Sequence, residues 1–157
     1  MSSFNLGDGL TRRQMIVSVS AAAFAAMALP TAGALASAAE VDSAVQKIIA
    51  GRTVKTGGIK LELPEIAENG ATVPLTASME SPMTSANYVK SMHFFAEGNP
   101  NPDVASFHFT PRSGVAKASM RIRLAKTQQI VAVAETSDGS VYLSKVQVKV
   151  TIGGCGG

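Results

Sequence analysis

One cysteine, two histidines and no tryptophan among 157 residues remove several kinds of chemistry at once. A single thiol cannot close an intramolecular disulfide. Zinc and iron–sulfur sites draw on several Cys or His ligands, and this chain has no such set, so no metal site is expected. Gly-x-Ser-x-Gly, a phosphate-cradling glycine loop and a pair of carboxylates in contrasting surroundings are all missing, so no catalytic residue is expected either. The charges are few and nearly balanced, 14 basic against 11 acidic, and no basic cluster offers a nucleic-acid footprint. Long apolar runs are missing too. The run from Ile16 to Leu29 has fourteen residues, includes Ser18 and Ser20 and stops at Pro30. A bilayer span needs about 20 residues, so the mature form is expected to have no membrane segment.

What that run does fit is an export signal. Arg12 and Arg13 stand in Thr11-Arg12-Arg13-Gln14-Met15-Ile16, a twin-arginine pattern, directly before the alanine-rich stretch. Ala34-Leu35-Ala36 and Ala36-Ser37-Ala38 both satisfy the small-x-small rule, so cleavage is expected after Ala36 or Ala38 and the mature protein in the periplasm. Without residues 1–38, which carry Arg12, Arg13 and Asp8, 12 basic and 10 acidic residues are left among 119, a net of +2. That length supports one domain with its own core.

The mature chain divides into a helix and linker over 39–56, a β domain over 57–152 and a tail over 153–157. Val41, Val45, Ile48 and Ile49 recur at helical spacing, with Asp42 as expected N-cap, Gly51 as stop and the stripe lying on the domain surface. From Ile59 onward the pattern changes to short alternating runs between turn residues. Strands are expected over 59–63, 71–79, 88–96, 104–109, 117–125, 129–134 and 141–152, with a turn at Glu68-Asn69-Gly70 and an Asp138-Gly139 hairpin. Pro74 argues for an edge or a bulge in its strand. About seven strands in roughly a hundred residues predict an all-β, immunoglobulin-like sandwich, without the disulfide and core tryptophan of antibody domains.

His93 and His108 alternate against Phe94, Phe107 and Phe109, which places both histidines on one solvated face. Two histidines with no further ligand at metal spacing read as ordinary strand residues. Met79, Met83, Met92 and Met120 read as fillers of core or interface gaps.

The lone cysteine sits at the end, in Gly153-Gly154-Cys155-Gly156-Gly157. Four glycines around one thiol predict a slim, flexible arm that could enter a narrow pocket; measured from Ile152, its terminus reaches roughly 17 Å. An odd thiol in an oxidising compartment invites dimerisation, so its presence there points to chemistry or a covalent partner. With an ordinary pKa it is only about 3% thiolate at pH 7. The residues alone leave three roles open: a covalent carrier, a single-thiol exchange protein working through mixed disulfides, and a binding module that offers its edge or tail to a partner.

Together, the twin-arginine signal, the β domain and Gly-Gly-Cys-Gly-Gly resemble the SoxY family, sulfur-carrier subunits of the bacterial Sox thiosulfate-oxidising system. Pro64-Glu65-Ile66-Ala67-Glu68-Asn69-Gly70 and Phe95-Ala96-Glu97-Gly98-Asn99-Pro100-Asn101-Pro102 also look like that family. The resemblance implies a carrier rather than an enzyme, with Cys155 as the covalent sulfur attachment and the four flanking glycines as its arm. It implies a heterodimer with a SoxZ-like subunit. It further implies that thiosulfate-derived S-thiosulfonate and persulfide are presented to SoxAX-, SoxB- and, where present, SoxCD-like enzymes, whose haem, manganese and molybdenum stay with those partners. No cofactor is expected on this chain.

Overall fold

A computed structural model of the chain describes residues 33–154. The expected export signal with Arg12 and Arg13 and the end of the tail, Cys155, Gly156 and Gly157, lie outside the described residues. A single helix, α1 (Gly33–Ile49), precedes nine strands: β1 (Val54–Thr56), β2 (Ile59–Glu62), β3 (Ile66–Asn69), β4 (Val73–Met79), β5 (Val89–Ala96), β6 (Asp103–His108), β7 (Ala116–Ile122), β8 (Gln128–Thr136) and β9 (Val141–Ile152).

The helix opens nine residues before Asp42, so Asp42 lies inside it instead of capping it. Alanines supply the extra turns, since alanine has the highest helix propensity and nothing in 33–41 competes with it. The C-terminal stop falls as expected, with Ala50 and Gly51 both at positive φ and the Ala50 amide donating to Gln46 O.

Two sheets form the sandwich. The larger runs β1-β9-β8-β5-β6, with β3 also on β9; the smaller runs β2-β4-β7. The nine strands exceed the expected seven by β1 and β3, and both pair in parallel with β9. Twelve residues of β9 give one long edge, on which β1 takes the first three residues and β3 the last four. Strands of three and four residues carry no readable alternation, so they form only because that edge is offered. The Asn69 turn moves accordingly: Asn69 ends β3, and the chain turns at Gly70 and Ala71. β4 is the central strand of its sheet, yet β2 pairs only with Thr76–Met79, so Pro74 lies beyond its reach, paired with β7 alone.

Between the sheets Phe94, Leu75, Met92, Leu124, Ile130 and Val148 are fully buried. Phe107 meets Phe94 edge to face at 6.0 Å. Met83 joins this core, and Met79 and Met120 pack against it. The other face of the larger sheet is covered by α1, whose Val41, Val45 and Ile49 bury against Phe95, Val131, Val133 and Val141. No helix among the described residues is long and apolar enough to cross a membrane.

Candidate functional site

The chain leaves β9 at Ile152, and the next two residues are held by main-chain contacts. Three backbone bonds run in series: Gly70 N–H donates to Ile152 O (2.7 Å), Leu124 N–H to Gly70 O (2.8 Å), and Gly154 N–H to Leu124 O (2.9 Å). Three chain segments thus meet at the root of the tail. They approach so closely that side chains have no room. A Cβ at Gly153 would lie 2.2 Å from Ala125 O, one at Gly70 2.2 Å from Leu124 O, and one at Gly154 2.7 Å from Gly70 O. None of the three has a left-handed φ, so crowding, not backbone conformation, is what calls for glycine at the root.

The Leu124–Ala125 segment is itself clamped. Leu124 is fully buried in the core, and the peptide groups on either side of it are gripped by one side-chain amide. Asn99 Nδ2 donates to Arg123 O (2.8 Å), and Ala125 N–H donates to Asn99 Oδ1 (3.0 Å). Gln128 braces the amide: its Nε2 donates to Asn99 Oδ1 at 2.8 Å, while Gly98 N–H donates to Gln128 Oε1 at 2.7 Å. Both amides are buried, Asn99 at 4% and Gln128 at 6% exposure, so their hydrogen bonds have no competing water and leaving one unmade is expensive. Of these residues, composition singled out only Gly153 and Gly154. Gly70 and Asn99 stand in the two segments quoted for the family resemblance, which was their signal; Gln128 had none.

His93 and His108 do share a face, the one that α1 partly covers, with ring centroids 6.0 Å apart and nearly perpendicular planes. His93 is tied to serines on both nitrogens, Nδ1 to Ser106 Oγ at 2.7 Å and Nε2 to Ser91 Oγ at 3.1 Å. Ser91 also donates to Glu135, whose other oxygen is paired with Arg52 at 2.6 Å just past the end of α1. Burial pushes the His93 imidazole below its ordinary pKa, against the opposing pull of Glu135. Burial of Glu135 would raise its pKa, but the bond and charge of Arg52, helped by Ser91 and His93, outweigh it and hold the carboxyl below its usual range. The cluster braces the strands and the helix end. Among the described residues no group of three or more His, Cys, Asp or Glu side chains is placed to hold a metal ion.

Comparison with known proteins decides the family. The sequence matches the model of the sulfur oxidation protein SoxY over residues 45–155. The chain belongs to the SoxY family. Its fold is similar to the sulfur carrier protein SoxY from Chlorobium limicola f thiosulfatophilum, at 34% identity and a TM-score of 0.61, with 73% of this chain and 99% of that one covered. A variant of superoxide reductase (neelaredoxin) from Ignicoccus hospitalis shares the fold at 18% identity and a TM-score of 0.57, covering 64% of this chain and 96% of that one. A hypothetical protein from Pyrococcus horikoshii does so at 17% and 0.53, with 64% and 99% covered. At those identities the likeness is one of fold alone. No curated protein sequence matches the chain. Membership in SoxY assigns the chain to sulfur oxidation in a carrier role.

Proposed function

We propose that this protein is the periplasmic sulfur carrier of a thiosulfate-oxidising system, exported by the twin-arginine route and loaded on Cys155. One observation carries the reading: the match to the SoxY family runs to residue 155, the only cysteine in the chain. The arm root supports it, because β9 and its glycines deliver the chain at a fixed point directly before that residue. The partners are a SoxZ-like subunit and enzymes of the SoxAX, SoxB and SoxCD kinds.

The chemistry balances without a group on this chain beyond the thiol. In loading, the Cys155 thiolate and the outer sulfur of thiosulfate form an S–S bond, and the two electrons released would pass one at a time to the haem iron of a SoxAX-like partner and on to its electron acceptor. Water then attacks the terminal sulfonate sulfur at a SoxB-like hydrolase, the bond to the outer sulfur breaks, sulfate departs and a persulfide stays on Cys155. The carrier contributes a nucleophile, a slim approach and a covalent tether that keeps the intermediate from diffusing away; once a partner enzyme has docked on the carrier, the tether raises the intermediate's effective concentration at its site.

Thiosulfate turnover by the reconstituted partner enzymes tests the assignment. With Cys155→Ser in place of the wild type, turnover is expected to fall to the level without carrier, while the thermal unfolding of the domain is unchanged. Full turnover with the serine variant would reduce the chain to a binding module.

A further inference from the structure

We propose that Asn99 and Gly154 are positioning residues that fix the root of the tail in a backbone socket, so that Gly153 and Gly154 do not serve as its joint. The inference rests on the carrier reading for its purpose but on geometry for its content. Gly154 is buried; its amide is spent on Leu124 O, and its Cα packs too closely on Gly70 and Ala71 to accept a side chain. Gly153 is exposed, but it too leaves no room for a Cβ, which would lie 2.2 Å from Ala125 O. Such contacts oppose rotation at the very pair of glycines whose composition suggests a joint. The socket wall that holds them, Leu124–Ala125, has no ladder partner in β7 or β8. Asn99 stands in for one, offering its side-chain amide as both donor and acceptor to the peptide groups that flank Leu124. Gln128 fixes the orientation of that amide through Gly98. The two internal segments that resemble SoxY, 64–70 and 95–102, therefore converge on the tail, one lining the socket with Gly70 and the other bracing it with Asn99.

A fixed root shortens the tether. From Gly154 the cysteine is one residue away, about 4 Å between Cα atoms, instead of the roughly 10 Å at full extension available from Ile152. Partner enzymes must then dock on the accessible socket rim, at Ala71 and Ala125, and hold their reacting atoms close against it. Specificity for the carrier falls to that rim as well as to the thiol.

Amide hydrogen exchange on the full mature chain, read residue by residue by NMR, tests the socket. The Gly154 amide is expected to exchange at least about 100-fold more slowly than in an unstructured peptide. In Asn99→Asp, which removes the donor to Arg123 O, and separately in Gly154→Ala, which lets the tail lift away without touching the core, that protection should fall at least about tenfold with β8 and β9 unchanged. Enzymatic loading of Cys155 should fall with it, while its alkylation by iodoacetamide, which needs no docking, stays at the wild-type rate. Unprotected Gly154 in the wild type, or protection untouched by Gly154→Ala, would overturn the socket. A protected Gly154 in a wild type that no partner enzyme loads would uphold the socket and instead contradict the carrier reading.

Discussion

His93 shows how a half-buried side chain is settled by its neighbours. Both ring nitrogens are bound to hydroxyls, and burial disfavours the imidazolium despite Glu135 nearby. The sign of the pH dependence follows. A histidine whose folded pKa is depressed binds its proton more readily when unfolded, so stability is retained above the ordinary value of 6.5 and declines as pH falls through it, levelling off below the folded value. Glu135, also depressed, adds a second loss as pH falls below 4.5 towards its own folded value. Urea midpoints measured from pH 7.5 to 5 should fall in the wild type and fall less in His93→Gln, whose amide can still reach the serines. Parallel declines in the two proteins would assign the dependence elsewhere.

Helix α1 and strand β9 are the elements on which the arrangement turns, and they differ in how far the sequence discloses them. The stripe of Val41, Val45, Ile48 and Ile49 told both that a helix forms and that it lies on the domain, and those side chains cover the outer face of the larger sheet. Truncating Val41→Ala removes two methyl groups from a fully buried site and should lower the unfolding free energy by about 2 kcal/mol, measured in urea; a change within about 0.5 kcal/mol would mean that the helix does not rest there. The bounds of β9 and the hairpin before it were equally legible, since alternation over twelve residues and an Asp-Gly turn are strong local signals. What alternation could not disclose was the use of β9 as a shared edge. The strands β1 and β3 exist by pairing with a distant segment, and the contacts of Gly70, Asn99 and Gln128 likewise join residues far apart in the chain. Glycine at 153 and 154 was visible as composition, but crowding by Ala125 and Gly70 is a property of the fold. The start of α1 was missed for a different reason: a small-residue stretch that satisfies a peptidase also satisfies a helix.

On the proposed carrier reading, the folded domain as a whole is a support for one thiol. Its core fixes Leu124, Leu124 and its neighbours fix the root, and the root hands the chain to Cys155 at a defined place. On that same reading, the oxidant and the hydrolytic centre are supplied by partner enzymes. The most direct test is intact mass spectrometry of the protein isolated from its native cells, with and without reductant. The account predicts added masses of thiosulfonate and sulfane sulfur that reductant removes and that Cys155→Ser lacks. A mass equal to the bare polypeptide or to its simple disulfide dimer, unchanged after incubation with thiosulfate and the partner enzymes, would contradict it.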